Sequence, residues 1–467
     1  MAINRPETGR RSDVEGTAAA PVAALAAIPA SARAGDLFWH DLRGSLNAAD
    51  MGLVPGDYDA GIATHADAAS QLNSGDLPAA GHHCAPITLP ENTRSAGIWA
   101  HRGLFIRAAG IYHHRKRQPA WSFPDWCSMA TVAADYAQAA VRISRTEHLV
   151  IDNCQFVGAT AIGLQVDGSS GRVERNLISG AQAANAVRSA LQNKGLAIAG
   201  NEVSACSNGG ILVHRFQNGE DGTIVTGNRV FNIGAHNGGT GQWGNGINVF
   251  RAGSVMIANN HVSDCAFSAI RSNSGSNVQI SGNQCLRSGE TAIYSEFEFN
   301  GAVITNNIID KAARGISIAN FMQGGRMAVC SGNLIRNIHQ NAPYVDKDHP
   351  FGIGISLEAD TTVTSNVIEG AEKFGMLLGW GPYLRDVVAT SNVIRKADTG
   401  ICVSVVEGAG DTVIAENIIS GTTSGAIVGY RWHEAVTGDM SGRQQVRPSC
   451  HRAKPGQLSL SFNGKAQ

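Results

Sequence analysis

The sequence predicts an all-β fold, a right-handed parallel β-helix in which short strands wind into a solenoid of about eleven coils. Three observations predict it. A short apolar strand ending in Asn recurs along most of the chain, a strand of alternating pattern follows each one, and these units show no helical periodicity. The 467 residues include 55 glycines and only 16% charged residues, which is typical of short strands joined by many turns.

The residue that closes the first strand marks the repeat, and we call its position the slot. Successive slots lie 22 to 33 residues apart, and each is followed two positions later by an apolar residue or Cys. Stacked units pair in parallel about 4.8 Å apart and bury a face that one unit could not bury alone. We expect the slot Asn to adopt the left-handed conformation of a sharp turn and to form a ladder of stacked amides, a structural role. The slot residues are Cys154, Asn176, Asn201, Asn228, Asn260, Asn283, Asn307, Asn333, Asn366, Asn392 and Asn417.

The second strand of each unit alternates between the interior and the outer surface. This pattern points Ile293 and Ser295 inward and Tyr294 and Glu296 outward. Two outer columns follow from aligning the units. The first contains Leu212, Asn248, Arg271, Tyr294, Ser317, Ser356 and Leu377, and the second contains His214, Phe250, Asn273, Glu296, Ala319, Glu358 and Gly379.

Nine cysteines without a CxxC pair make a zinc site or a complete disulfide framework unexpected. We expect the cysteines within the coils to be small core or turn residues. They are Cys154, Cys206, Cys265, Cys285, Cys330 and Cys402.

Four segments divide the chain: a leader (1–34), an irregular N-terminal cap (35–148), the solenoid (149–438) and a C-terminal tail (439–467). The leader carries Arg10 and Arg11, an apolar run at 17–30 and an Ala-Arg-Ala site at 32–34, a twin-arginine export pattern that predicts a periplasmic or secreted protein. The acidic residues at 13 and 15 weaken that pattern, and the alternative is an Ala-rich disordered leader. We expect no membrane span, and a net charge of -1 argues against nucleic-acid binding.

Polar side chains converge at the middle of the two outer columns. Asn248, Arg271, Asn273, Tyr294 and Glu296 fall within two coil spacings, about 10 Å. The two longest units carry insertions at 234–246 and 339–352, each beginning six residues after a slot Asn. Both insertions therefore emerge at one corner of the solenoid, and we expect them to wall a groove about 20 Å long.

A groove of this composition suits chemistry on acidic sugars. Arg neutralises a uronate carboxylate, and a phenol, carboxylate or imidazole transfers the C5 proton, which describes a lyase or a C5-epimerase. Two alternatives stay open: a glycan-binding or envelope structural solenoid without turnover, and a glycoside hydrolase using Glu296 with Glu298 or Glu358. The candidate catalytic residues are Arg271, Tyr294, Glu296 and His214. The candidate substrate-binding residues are Asn248, Arg251, Asn273, Glu298, Trp243, Tyr344 and Glu358, with Trp243 and Tyr344 placed to stack on sugar rings.

No cofactor is expected. A GxGxxG match at 239–244 lacks a surrounding βαβ unit, so it does not indicate a dinucleotide site. Two acidic stretches contain side chains able to bind calcium, but we expect ordinary surface turns there. These stretches contain Asp346, Asp348 and His349, and Glu220 and Asp221.

The coil sequences also resemble a known family. GGILVHRF, GNGINVFRAG, VSDCAFSAIRSNS, GETAIYSEF, GISLEADT and GWGPYLRDV are similar to the twin-arginine-translocated β-helix repeat proteins of α-proteobacteria, which group with the pectate-lyase-like right-handed β-helices. The resemblance extends from about 149 to 438. It implies the fold and export, and it implies no catalytic residues because the family has no established activity.

Overall fold

The computed structural model describes residues 87–89, 139–144, 149–153, 155–159, 161–182, 185–190, 195–346, 350–442 and 459–460. The predicted leader, most of the predicted cap and most of the C-terminal tail lie outside these residues, and so do the predictions made for them.

Each coil presents three faces. Face A consists of the strands that precede the slot, face B of the strands that follow it, and face C of the alternating strands. In the described residues face A is a sheet of 12 strands, while faces B and C belong to a sheet of 21 strands. Neighbouring coils pair in parallel on every face, for example Ile257 with Ile280 on face A and Ile270 with Ile293 on face C. The predicted all-β solenoid is confirmed.

The strands have the following bounds. Face A comprises Leu149–Asp152, Gly171–Glu174, Leu196–Ala199, Ile224–Thr226, Met256–Ala258, Val278–Ser281, Asn300–Thr305, Arg326–Ser331, Ala359–Thr364, Arg385–Thr390, Thr412–Ala415 and Ser459–Leu460. Face B comprises Gln155–Val157, Leu177–Ser179, Glu202–Cys206, Arg229–Ile233, His261–Cys265, Leu334–Ile338 and Ile418–Ser420. Face C comprises Ala139–Ser144, Ile162–Asp167, Asn185–Ala190, Gly209–Glu220, Asn245–Gly253, Ile270–Asn273, Ile353–Leu357 and Gly425–Arg431. Four strands run through the corner from face B into face C: Gln284–Glu296, Ile308–Ile318, Val367–Leu378 and Val393–Ser404. Two 3₁₀ turns are Phe321–Gln323 and Gly381–Tyr383.

Strands also pair in two regions that lack the slot motif. On face C, Ala139–Ser144 pairs with Ile162–Asp167, and Ile87–Leu89 pairs in parallel with Ala139–Ser144. At the other end, Glu434–Asp439 folds back antiparallel on Gly425–Arg431. The sequence missed these additions because neither region carries the slot motif.

The inward side chains of the three faces form one apolar core. Cys206, Cys265, Cys285 and Cys330 lie in it, as predicted for the coil cysteines. Burial raises the pKa of the Cys206 thiol to about 11, so this thiol is unreactive at neutral pH. Cys402 is different, because it is buried in a separate cluster on the outer side of face C.

The slot asparagines form a continuous buried ladder. The Asn283 amide nitrogen donates to the Asn307 side-chain oxygen at 3.0 Å and to the Ile257 carbonyl at 3.0 Å. The Asn283 side-chain oxygen accepts from the backbone N–H of Asn260 at 3.0 Å and from its amide at 2.9 Å. The amide-to-amide bond repeats at every step from Asn176 to Asn417, which confirms the predicted ladder.

The left-handed residue of the turn is not the slot Asn but the residue before it. Arg175, Asn259 and Asn306 have φ of 56°, and Gly282 has φ of 67°. The slot residue is held by its backbone N–H and its amide inside the coil, so the change of chain direction falls on its neighbour. This explains why Gly and Asn recur immediately before the slot.

Replacing Asn283 with Ala should lower the free energy of unfolding by about 3 kcal/mol, because it removes the acceptor of two buried donors of Asn260. Chemical denaturation measures this loss. The adjacent Gln284 is exposed, and Gln284→Ala should change the free energy by no more than about 0.5 kcal/mol. Equal effects of the two substitutions would contradict a stabilising role for the ladder.

Candidate functional site

The register of face C places the outer residues as the repeat predicts. Successive coils pair Leu212 with Asn248, Asn248 with Arg271, and Arg271 with Tyr294. The second column pairs in the same register, ending with Asn273 opposite Glu296. In the coils from Leu212 to Tyr294, six of the outer positions are half-buried, and we call them the face C strip: Leu212, His214, Asn248, Phe250, Asn273 and Tyr294.

Arg271 and Glu296 occupy positions of the same two columns and form an ion pair with each other. The Arg271 Nε donates to the Glu296 Oε1 at 2.6 Å, and the Asn273 amide donates to the same oxygen at 2.9 Å. Glu296 is 2% exposed and Arg271 is 9% exposed. The Arg271 guanidinium lies 5.2 Å from the centre of the Tyr294 ring. The strand pattern therefore brings these residues together, but their charges are covered and do not line an open groove.

A second carboxylate, absent from the sequence-based candidates, lies on the other side of Arg271. The Glu290 Oε2 is 3.9 Å from the Arg271 Nη1 and accepts a hydrogen bond from the Ser268 hydroxyl at 3.1 Å. The Tyr344 hydroxyl donates to the Glu290 Oε1 at 2.6 Å, and Glu290 is 1% exposed. We call Arg271, Glu290, Glu296 and Tyr344 the buried cluster.

The place of Glu290 within the repeat is a sequence signal that could have identified it as a site residue. It stands seven residues after the slot Asn283, close to the point in the unit where both long insertions begin. Arg314 occupies the same place after Asn307 and is also buried. Its Nη2 donates to the Pro350 carbonyl at 2.9 Å. Charged residues at this corner are thus held by the inserted loops.

The two loops approach each other over the coils between them. In the first loop (234–244), Gly241 lies so close to Arg271 that an added Cβ would be 1.6 Å from the Nη1. In the second loop (339–352, described except for 347–349), Tyr344 reaches Glu290. The predicted common corner is therefore correct, and each loop covers a charged residue of the coils between the two insertions.

Burial governs proton affinities at the site. It raises the pKa of Glu296, and the charge and hydrogen bond of Arg271 offset only part of that increase. For Arg271 burial acts to lower the pKa, but Glu296 raises it overall, so the guanidinium stays charged. Burial and the Glu296 carboxylate also raise the pKa of Tyr294. The Tyr294 phenol is therefore protonated at neutral pH.

At the Leu212 end of the strip, aromatic rings pack together with the Arg251 guanidinium. The His214 ring stacks on Phe250 at 5.4 Å and meets the edge of Phe216 at 4.7 Å. Arg251 lies over the Phe250 ring and donates to the Phe216 carbonyl at 2.8 Å. Three coil spacings, about 14 Å, separate His214 from Glu296, so the two do not act on one atom.

An arm borders the strip on the side opposite the loops. The chain leaves the strand register between His214 and Gly219, and these arm residues (215–218) extend along the coils. The Asn218 amide donates to the Glu298 carboxylate at 2.9 Å, across 80 residues of sequence. Glu298 thus anchors the arm, and the strip is bounded on both sides.

The two aromatic residues predicted to stack on sugars differ in their surroundings. Trp243 is half-buried in the first loop. Tyr344 packs face to face on Phe267 at 6.1 Å and edge-on against Phe351 at 5.6 Å, while its hydroxyl binds Glu290. Tyr344 therefore stabilises the buried cluster in this structure.

Glu358 lies farther along the second outer column, two coil spacings or about 10 Å from Glu296. Its carboxylate accepts a hydrogen bond from the backbone N–H of Phe321 at 2.6 Å. Burial raises the pKa of Glu358 to about 7, although hydrogen bonds from Phe321 and Asn320 oppose the shift.

The conceivable calcium ligands do not converge in the described residues, which hold no group of three or more metal-ligating side chains. Asp221 is buried, accepts a hydrogen bond from the Thr223 hydroxyl and lies 3.9 Å from Arg215, while Glu220 is exposed. Asp348 and His349 lie outside the described residues.

Two surface depressions lie at the corners that flank face C. One, of about 450 Å³, is lined in part by His236 and Asp264. The other, of about 540 Å³, is lined in part by Asn218 and Ser274 beside the arm. Neither depression is lined by the buried cluster.

Comparison with known proteins agrees with the fold. The family model described as "Right handed beta helix region" matches residues 139–324. No curated protein matches the chain. None of the described residues forms a helix with the length and apolar character of a membrane span.

Solved structures similar to this chain share little sequence with it. The Dettilon tailspike protein gp208 has a TM-score of 0.37 and 16% identity over 62% of this chain and 62% of its own. The catalytic unit of the GH87 alpha-1,3-glucanase from Streptomyces thermodiastaticus strain HF3-3 has a TM-score of 0.43 and 14% identity over 84% of this chain and 66% of its own. PfbA, a surface adhesin of Streptococcus pneumoniae, has a TM-score of 0.34 and 12% identity over 85% of this chain and 95% of its own. The chain thus spans less than two thirds of the tailspike and the glucanase, and these likenesses carry no information on what it binds.

Removing the cation of the buried cluster should be costly. Arg271→Ala leaves two buried carboxylates without a counter-charge and should lower the free energy of unfolding by about 3–5 kcal/mol, measured by chemical denaturation. The matched control is Arg287→Ala, which breaks an exposed two-bond pair with Asp264 and should cost no more than about 1 kcal/mol. A loss no larger than the control's would argue against a tightly held cluster.

Glu358 should make stability depend on pH. Its folded-state pKa of about 7 lies above its ordinary value of 4.5. The part of the free energy of unfolding that this carboxyl group contributes is therefore fully present below pH 4.5 and is lost as pH rises through 7. The wild-type free energy of unfolding should fall, relative to that of Glu358→Gln, by about 3 kcal/mol over this range. Denaturation at pH 5 and pH 8 measures the difference. A wild-type trend no steeper than that of Glu358→Gln would contradict the raised pKa of Glu358.

Proposed function

We propose that the protein is carbohydrate-active and binds an acidic polysaccharide along the face C strip, with Glu296 and Tyr294 as the proton-transferring groups. One observation carries this proposal. The half-buried strip shares its two outer columns with the Arg271–Glu296 pair and is bordered by the two loops on one side and by the arm on the other. Sites with a few convergent polar groups are where ligands bind.

The strip supplies the groups that an acidic sugar requires. The stacked His214 and Phe250 rings give the strip an apolar part, and the Asn248 and Asn273 amides suit the hydroxyls of a sugar. Arg251 at the edge of the strip offers guanidinium N–H groups to a uronate carboxylate. The Arg271 Nη1 is buried without a hydrogen-bond partner and suits the carboxylate of the reacting sugar.

The same groups account for elimination chemistry. The Glu296 carboxylate removes the C5 proton, the C5–H electron pair forms the C4–C5 double bond, and the C4–O bond breaks. The Tyr294 phenol, which its raised pKa keeps protonated at neutral pH, gives its proton to the departing glycosidic oxygen. Returning a proton to C5 from the opposite face, without cleavage, would make the product of an epimerase.

Two other functions have a specific observation in their favour. The burial of Glu296 and Arg271 beneath the loops favours a glycan-binding solenoid without turnover, because a sugar reaches these groups only if Gly241 or Tyr344 moves. Glu290 and Glu296 on either side of Arg271 provide the two carboxylates that a glycoside hydrolase needs.

The decisive experiment is a turnover and binding screen of the purified protein on pectate, alginate and other uronic polysaccharides. Near-ultraviolet absorbance reports unsaturated ends, NMR reports proton exchange at C5, and a reducing-end assay reports hydrolysis. Tyr294→Phe and Glu296→Gln should each lower turnover by about 100-fold or more while the protein stays folded. Glu416→Gln alters an exposed carboxylate away from the strip and should leave turnover unchanged.

Each outcome distinguishes the functions. Unsaturated ends or C5 exchange that depend on both residues would establish the lyase or epimerase. Reducing ends without unsaturation, abolished by Glu290→Gln, would establish a hydrolase. Binding without turnover would establish the glycan-binding solenoid, and neither binding nor turnover on any of the glycans would overturn the proposal.

A further inference from the structure

We infer that the last coils carry a second glycan subsite, centred on Trp432, that binds the same polysaccharide chain as the face C strip. This inference rests on the proposed function, because it extends that binding surface along the solenoid. It predicts that affinity depends on the length of the glycan.

The outer columns of face C continue without interruption from the strip to the last coils. Tyr294 pairs with Ser317, and the first column then passes through Ser356, Leu377, Cys402 and Val428. Five coil spacings separate Tyr294 from Val428, about 24 Å. In the second column Ser404 pairs with Tyr430, so the strip and the last coils share one surface of the solenoid.

The outer side of the last coils is aromatic. Leu377 and Cys402 point away from the core, where solvent would be expected, yet both are buried. They belong to an apolar cluster outside the main core. The aromatic residues of this cluster are Phe374, Trp380, Tyr383 and Tyr430.

Trp432 stands on this cluster and faces solvent. It forms the turn between Gly425–Arg431 and Glu434–Asp439 and is 45% exposed. Its indole meets Trp380 edge to face at 5.6 Å and packs against Gly381, where an added Cβ would lie 2.2 Å from the indole. The Ser404 hydroxyl holds Gly381 beneath the indole by donating to the Gly381 carbonyl at 2.7 Å. The indole is therefore held in place with one part free for a ligand.

The backbone of Trp432 supports a role other than folding. Its φ of 55° is in the left-handed region, which Gly or Asn occupies at lower cost. A large apolar residue that is both exposed and in an unfavourable conformation at a tight turn contributes little to stability. Strained residues of this kind occur where a side chain has to be presented at a particular place.

The surroundings of Trp432 match a pyranose ring. A fixed indole offers a flat apolar surface to the C–H face of a sugar, and polar groups at its edge suit the hydroxyls. Arg431 and Glu407 form an exposed ion pair beside it, and the His433 ring lies 4.9 Å from Trp380. A glycan chain long enough to span the 24 Å between the two places would bind both.

Isothermal titration calorimetry with uronic oligosaccharides, from the disaccharide to the decasaccharide, tests the inference. Trp432→Ala should weaken binding of the longest oligosaccharides about tenfold and leave that of the shortest unchanged. Trp432→Phe keeps an aromatic ring and should retain most of the affinity. Val436 is exposed on the same hairpin, and Val436→Ala should have no effect at any length.

Other results would overturn the inference. An equal loss at every length, or no loss at any length, would show that Trp432 is not a distal subsite, and the proposed function would stand. Failure of the wild-type protein to bind any oligosaccharide would overturn both proposals. A change in oligomeric state on Trp432→Ala, seen by light scattering, with unchanged affinity would assign this surface to a second copy of the chain.

Discussion

The ladder of slot asparagines is the interaction on which the rest of the structure depends. Each amide uses its donors and its acceptor on the neighbouring coils, from Asn176 to Asn417, inside an otherwise apolar core. A buried amide tolerates no shift of register, because a shift would leave several polar groups without partners. The ladder thus fixes the register of face B, and through it the columns of face C.

With the register fixed, the chemistry of the molecule is decided by residues that do not repeat. Arg271, Glu290 and Glu296 come from two successive coils, and only their stacking makes them neighbours. A buried ion pair adds little net stability compared with apolar residues of similar size. The burial of this pair within the outer columns therefore suits a role in positioning groups better than a role in folding.

The sequence predicted the fold, the register of the outer columns and the common corner of the insertions, because these follow from a local period and from one recurring Asn. It did not predict that Arg271 and Glu296 are covered, since this depends on the path of loops that carry no repeat. Glu290 was not predicted because it lies at a corner of the coil, where the alternating pattern of a strand does not indicate which way a side chain points. The left-handed conformation was predicted for the slot Asn but belongs to the residue before it. The prediction was wrong by one residue because both positions suit a turn.

Solenoids ordinarily unfold coil by coil, because each coil contacts only its neighbours. Two hydrogen bonds in this protein break that rule. Asn218 reaches Glu298 across 80 residues and Tyr344 reaches Glu290 across 54, whereas the bonds between slot asparagines span at most 33. They cross-link the coils on either side of the buried cluster. The middle of the solenoid should consequently behave as one cooperative unit, protected from amide hydrogen exchange after the terminal coils have frayed.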